Sequence, residues 1–144
     1  MNLRMVPIDL NQNGTPRDEK LCAALQLYCE KTFGTELVIG YYRRVWAVLG
    51  CEGDSYTVMG AIATRLEPDV PIFHITPPTQ DREGLKIAHL GVELAVYRLR
   101  SYYEDLGLRG SGVLIYVSEI AEKMWKRFFA RNGITKASRY TTTV

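Results

Sequence analysis

The residues best suited to chemistry lie around Gly84, where a long helical pattern begins. A glycine lets the backbone come close to a ligand, and Arg82 and Lys86 place positive charge on either side of it. The N–H groups and the dipole at a helix N-terminus also attract anions. The stretch therefore predicts an anion site, provided that the preceding strand ends beside it.

The helix itself is predicted from apolar spacing. Between Gly84 and Gly107, six residues recur at steps of four and three and share one face. They are Ala88, Val92, Ala95, Leu99, Tyr102 and Leu106. Residues 113–117 follow as an apolar run without alternation, which is typical of a central strand covered on both sides. A helix that leads into such a strand indicates a parallel or mixed α/β sheet.

The remaining elements are predicted from turn residues and periodicity. Strands are expected at 3–10, 45–50, 56–66, 70–76 and 134–144, and helices at about 18–34 and 119–131. Residues 37–42 are ambiguous between a strand and a helical turn. The predicted fold class is α/β (α+β), in the order strand, helix, three antiparallel strands, long helix, strand, helix, strand. We expect residues 1–144 to form a single domain.

Composition narrows the class of protein. The 144 residues are 47% hydrophobic and 24% charged, as in an ordinary globular protein. No uncharged apolar run approaches the ~20 residues of a membrane span, and the N-terminus lacks the apolar core of a signal peptide. We therefore expect a cytoplasmic protein without a membrane partner. The net charge of +2 is too small to indicate nucleic-acid binding.

The cysteines do not indicate a metal site. Cys22, Cys29 and Cys51 form no C-x-x-C motif and have no nearby histidine that would complete a ligand set. Cys22 and Cys29 lie seven residues apart and share a helix face with Leu25. Buried, reduced thiols are therefore expected, and no metal.

In this order of elements the sequence resembles the GNAT superfamily of N-acetyltransferases over nearly all of residues 3–140. Three stretches carry the resemblance: the hairpin 45–63, with the sequence Val58, Met59, Gly60, Ala61 and Ile62; the strand end Ile75, Thr76 and Pro77 before a polar loop and a long helix; and the segment 128–134, with two phenylalanines before a glycine.

The resemblance implies acetyl-CoA as the cofactor and acetyl transfer to a primary amine. The pyrophosphate would lie against the loop and the helix start, with contacts from Ile75, Thr76, Arg82, Gly84, Leu85 and Lys86. A splay between strands 70–76 and 113–117 would admit the pantetheine arm. Strand N–H groups there would polarise the thioester carbonyl.

Such a transfer needs a base for the amine and an acid for the leaving thiolate. His74 is a candidate base if its pKa lies near neutrality, and Tyr116 is a candidate hydroxyl near the splay. Each also has a structural interpretation, as a partly buried histidine and as a strand tyrosine whose ring fills the core. The aromatic and basic segment 41–44 is interpreted as a solvated edge or a wall of the acceptor side rather than a nucleic-acid patch.

The sequence also departs from the family's pattern. The family's pyrophosphate loop usually reads Gln or Arg, two residues, Gly, one residue, then Gly or Ala. If Gly84 is the first glycine, Asp81 holds the Gln or Arg position and Lys86 that of the second glycine; if Gly84 is the second, Thr79 and Arg82 hold the other two positions. Phe129 occupies the position of the frequent tyrosine acid and cannot donate a proton, and Glu122 replaces a frequent Asn. These departures favour a second hypothesis, a catalytically degenerate binding or structural protein of the same fold, such as a phage virion component.

Overall fold

A computed structural model describes residues 1–65, 71–105, 113–114, 136–137 and 142–143. Its elements are β1 (Asn2–Pro7), α1 (Glu19–Phe33), a 3₁₀ turn (Ile39–Tyr41), β2 (Tyr42–Glu52), β3 (Ser55–Arg65), β4 (Pro71–Ile75), α2 (Arg82–Asp105), β5 (Val113–Leu114), β6 (Lys136–Ala137) and β7 (Thr142–Thr143). The predicted helix at 119–131 lies outside the described residues.

The strands β1 to β5 form one sheet in chain order. β1 to β4 pair antiparallel, and β5 pairs parallel with β4, with Val113 opposite Ile72 and Leu114 opposite Phe73. The antiparallel arrangement of β2, β3 and β4 and the parallel pairing after the long helix are both confirmed. The splay predicted between 70–76 and 113–117 is not present at Val113 and Leu114, which pair with β4, and residues 115–117 lie outside the described residues.

The first helix has the bounds that its end signals predict. Asp18 lies at the N-cap of α1 and accepts a hydrogen bond from the Leu21 N–H at 3.0 Å. Gly34 ends the helix with a φ of 78°, a left-handed conformation that glycine adopts without strain. Both signals are local in sequence, which is why they could be interpreted correctly.

The helices α1 and α2 cover opposite faces of the sheet. Along β2 the side chains alternate, so that Val45, Ala47 and Leu49 pack with α1 while Trp46 and Val48 pack with α2. β2 is therefore buried on both faces from Val45 to Gly50. The burial on both faces that the sequence predicts for 113–117 is thus seen in β2.

The predicted apolar face of α2 is confirmed as far as the described residues extend. Ala88, Val92, Ala95 and Leu99 are fully buried, and Tyr102 packs against the same cluster. Tyr102 meets the ring of Trp46 edge-on, with 5.2 Å between ring centroids. Leu106 and Gly107 lie outside the described residues.

Three stretches differ from the prediction in detail. β1 ends at Pro7, and Leu10 makes only an isolated bridge to Pro16, because a polar turn-forming stretch begins there. The ambiguous segment 37–42 contains the 3₁₀ turn and the first residue of β2. The single closing strand predicted at 134–144 is wrong in form, because β6 and β7 within that range pair antiparallel with each other.

Candidate functional site

The candidate site lies at the junction between β4 and α2. Thr76 donates its N–H to the carbonyl of Met59 on β3 at 2.8 Å, which continues the antiparallel ladder past the end of β4. Hydrogen-bonded pairs alternate along such a ladder, so the N–H and C=O of Ile75 point away from β3, toward the side of β5. Residues 76–81 then connect the strand to the helix.

Asp81 caps the first turn of α2. Its Oδ1 accepts hydrogen bonds from the Gly84 N–H at 2.8 Å and from the Thr79 hydroxyl at 2.7 Å. Its carbonyl accepts the Leu85 N–H at 3.1 Å, the first hydrogen bond of the helix. These contacts, led by the Thr79 hydroxyl, lower the pKa of Asp81. The amide that was expected to bind an anion therefore already binds one, the chain's own carboxylate.

Gly84 is required by a close approach of the loop to the helix. A Cβ atom on this residue would lie 2.0 Å from the carbonyl oxygen of Thr79 and 2.3 Å from its hydroxyl oxygen. No side chain fits in that space, because real Cβ atoms do not come so near to backbone atoms. The loop thus folds back over the first turn, and the glycine makes this possible.

The charged residues predicted for this site surround the cap. Arg82 and Lys86 are exposed in the first turns of α2, with Glu83 between them in sequence. Leu85 is different, since its side chain packs against the core and its N–H is engaged with Asp81. Arg82 and Lys86 are therefore available to a ligand in solution, whereas Leu85 positions the turn.

On the other face of the junction, Tyr28 of α1 joins two residues of the β4 end. Its hydroxyl oxygen lies 2.8 Å from Nδ1 of His74 and 2.8 Å from Oγ1 of Thr76. A phenol has a single hydrogen, so the Tyr28 hydroxyl donates to one of these two atoms and accepts a hydrogen bond from the other. Phe33 meets the His74 ring edge-on at a centroid distance of 5.1 Å. These contacts bind α1 to the strand end.

The protonation states in this network follow from burial. Burial lowers the pKa of His74 from 6.5 to about 4, and the side chain is only 2% exposed. Burial also raises the pKa of Tyr28. Both groups are neutral near pH 7, and an imidazole with so low a pKa is a weak base. This environment does not give His74 the near-neutral pKa that a base needs. The catalytic role of His74 stays a prediction.

The predicted site residues fall into two groups. His74 and Thr76 face α1 and meet at Tyr28, whereas Ile75 is buried on the α2 face, in the cluster that contains Ala88 and Val92. Arg82, Gly84 and Lys86 belong to the start of that helix. Tyr116 lies outside the described residues. Tyr28 was not identified as a site residue from the sequence. Its phenol, on the inner face of a helix, signals a need for a polar partner, but the partner is 46 residues away.

Neither a metal site nor a membrane span is found in the described ranges. No group of three or more His, Cys, Asp or Glu side chains in that part of the chain is placed to hold a metal ion. None of its helices combines the length and apolar character needed to cross a bilayer. The cysteines Cys22 and Cys29 are buried free thiols, as predicted.

Comparison with known proteins gives only weak similarities. No protein-family model matches this sequence, and no curated protein matches it. Among solved structures, the chain is similar to a domain from Methanocaldococcus jannaschii DSM 2661, with 15% identity and a TM-score of 0.47 over 99% of both chains. It is also similar to a chain of the KacTA–DNA complex, with 13% identity and a TM-score of 0.46 over 99% of this chain and 92% of that chain. Similarities this weak assign the protein to no family.

Proposed function

We propose that the protein is an acetyl-CoA-dependent N-acetyltransferase of the GNAT type, which transfers an acetyl group to a primary amine. The observation that carries the proposal is the junction of β4 and α2. There a strand parallel to β5 leads through residues 76–81 into a helix whose first-turn amide holds a carboxylate oxygen at 2.8 Å. An amide that binds a carboxylate in this way suits a phosphate oxygen as well.

The residues at this junction fit the cofactor. The Gly84 N–H would donate to a phosphate oxygen in place of Asp81, whose side chain is exposed and can turn toward solvent. Arg82 and Lys86 would pair with the remaining phosphate charge. The Ile75 N–H, on the side of β5, would donate to the thioester carbonyl.

The bound cofactor supplies an acetyl thioester, whose C–S bond breaks as the amine N–C bond forms, while one proton leaves the amine and one reaches the sulfur. This chain contributes orientation and a polarising N–H at Ile75. Tyr28 fixes the strand end through His74 and Thr76, so the direction of that N–H is set by packed neighbours. The proposed proton donor remains Tyr116, and the proposed base remains His74 with a weak basicity.

A second candidate function is favoured by Asp81. Its carboxylate occupies the amide that an anion needs and would repel phosphate from the same position. A protein that has kept the fold and lost the cofactor, and that acts as a binding or structural component, would tolerate this residue. The two candidates differ in one measurable property, the affinity for CoA.

Calorimetric titration with acetyl-CoA and with S-acetylpantetheine distinguishes these candidates. If α2 binds the pyrophosphate, acetyl-CoA binds and the shorter thioester, which lacks the phosphates, binds at least tenfold more weakly. Release of the CoA thiol in the presence of a panel of primary amines then measures transfer. Absence of heat with millimolar acetyl-CoA would reject the acetyltransferase and leave the binding protein.

A further inference from the structure

A groove lies beside the C-terminal end of α1, outside the junction described above. Its volume is about 390 Å³, within the range that binds small molecules. The residues lining it come from α1, the following loop and the start of β2: Cys29, Phe33, Thr35, Glu36, Leu37, Val38, Tyr41 and Tyr42.

The groove is held open by a fixed loop. Gly34 turns the chain out of α1, and Gln26 then binds Leu37 at two points. The side-chain amide of Gln26 donates to the Leu37 carbonyl at 2.6 Å, and its oxygen accepts the Leu37 N–H at 2.7 Å. Because both backbone groups of Leu37 are engaged, the wall of the groove is preformed rather than assembled on binding.

The lining of the groove combines aromatic rings with one negative charge. Phe33, Tyr41 and Tyr42 provide aromatic rings, and of the described residues that line the groove Glu36 alone carries a charge. Tyr41 is 74% exposed and Phe33 40% exposed, so large apolar groups border an open cavity. Aromatic faces attract cations, and a carboxylate pairs with them. The ligand that complements this groove therefore carries a single positive charge on an apolar body.

The groove is also next to the proposed reaction site. Phe33, which lines it, touches the ring of His74 edge-on at 5.1 Å. His74 precedes Ile75, whose N–H is proposed to face the thioester. A molecule in the groove would therefore approach β4 from the α1 side.

We infer that the acceptor is a primary monoamine on an aromatic or compact apolar body, bound in this groove as its ammonium ion. The inference rests on the proposed acetyl transfer. Glu36 pairs with the one charge of such an amine, whereas a polyamine would leave further charges without a partner. The nitrogen loses a proton before it attacks, so the groove selects which amine is bound, and its effect belongs to KM rather than to kcat.

The test is equilibrium binding of 2-phenylethylamine to the full chain, measured by calorimetry without acetyl-CoA. The controls are 2-phenylethanol, which has the same body and no charge, and spermidine, which has several charges and no ring. We expect 2-phenylethylamine to bind at least fivefold more tightly than either. Equal binding of 2-phenylethanol, or tighter binding of spermidine, would overturn the inference.

Variants locate the binding. Glu36→Gln should weaken the binding of 2-phenylethylamine about fivefold, and Tyr41→Ala should weaken it about threefold. Glu36→Gln should leave the binding of 2-phenylethanol unchanged. Glu52→Gln and Tyr97→Ala are the matched controls, since Glu52 is exposed at the β2 end and Tyr97 is 69% exposed on α2. Equal losses in the control variants would overturn the assignment to the groove.

The two proposals fail separately. If 2-phenylethylamine binds as expected but acetyl-CoA gives no heat, the amine site stands and the acetyltransferase is rejected. If CoA thiol is released with other amines while 2-phenylethylamine neither binds nor reacts, the transfer stands and the inferred acceptor class is rejected.

Discussion

The helices α1 and α2 begin with the same kind of cap but in different surroundings. Asp18 accepts the Leu21 N–H at the start of α1, and Asp81 accepts the Gly84 N–H at the start of α2. In each helix the donor is the third residue. In α1 that residue carries a buried leucine side chain, but in α2 it has to be glycine because Thr79 lies over it.

This difference separates a structural cap from a candidate ligand site. An Asp cap satisfies helix amides wherever it occurs and says nothing about a ligand. What distinguishes α2 is the loop folded over its first turn and the strand end that precedes it. Exposed cations lie at the start of both helices, Lys20 in α1 and Arg82 and Lys86 in α2. Each of these differences can be removed or copied by substitution.

The largest effect is expected from the glycine. Gly84→Ala should cost about 3 kcal/mol of unfolding free energy, since the new Cβ would overlap the Thr79 carbonyl and displace the loop. Gly91→Ala in the same helix is the control: its Cβ would meet Ile75 at an ordinary 3.5 Å, and alanine should stabilise the helix by about 1 kcal/mol. Urea unfolding followed by circular dichroism measures both. Equal stability of Gly84→Ala and the wild type would show that the loop does not lie over the turn.

The second-largest effect is a difference in pH dependence between the contact of α1 with β4, which contains His74, and the Asp81 cap of α2. The pKa of His74 is about 4 in the fold and 6.5 without it, so the unfolded chain takes up the proton first as the pH falls. Between pH 7.5 and pH 5 the chain should lose about 2 kcal/mol of stability through this histidine. The pKa of Asp81 is lowered, so the contribution of the α2 cap is lost only below 3.8.

His74→Gln tests this assignment, because glutamine can still bond to Tyr28 and does not titrate. Its unfolding free energy should vary less across the same pH range. An unchanged slope in this variant would mean that the tie between α1 and β4 is not the pH-sensitive contact.

A smaller effect compares the caps directly. Asp18→Ala and Asp81→Ala should each lower the Tm by a few degrees, because each leaves a helix amide without its partner. Only Asp81→Ala should raise the affinity for CoA, by about fivefold, because it removes a competitor for the same amide. Thermal unfolding and calorimetry on the two variants give the comparison. Equal CoA affinities would place the phosphates away from α2.

The smallest effect concerns the surface cations. Arg82→Ser should weaken CoA binding about threefold at low salt and less at high salt, as expected for an exposed charge near phosphate. Lys20→Ser, in the first turn of α1, is the matched control and should leave the affinity unchanged. A loss of the same size in both variants would reveal only a general charge effect.

The sequence predicts those parts of the fold whose signals are local. Asp18 and Gly34 mark α1 correctly, and the spacing from Ala88 to Leu99 predicts the buried face of α2. The hairpin turn at Glu52 to Ser55 is likewise encoded by Gly53, whose φ is 60°. The presence of two paired strands within 134–144 was missed, because a threonine-rich run carries no signal that divides it.

The candidate site is predicted less completely, because its contacts are long-range or depend on loop geometry. Gly84 and Asp81 were recognised as chemically important, but their hydrogen bond to each other follows from the shape of the turn. The partnership of Tyr28 with His74 and Thr76 depends on how α1 crosses the sheet. The burial of His74, which lowers its pKa, cannot be predicted from its neighbours in sequence.

The double hydrogen bond between Gln26 and Leu37 has a consequence for how the protein can change over evolution. It fixes the backbone after Gly34 without using the side chains of Thr35, Glu36 or Val38. Substitutions at these three positions can therefore alter what the groove accepts while its shape is kept by a residue of α1. The anchor and the variable positions are separate, which allows new specificity to arise at little expense in stability.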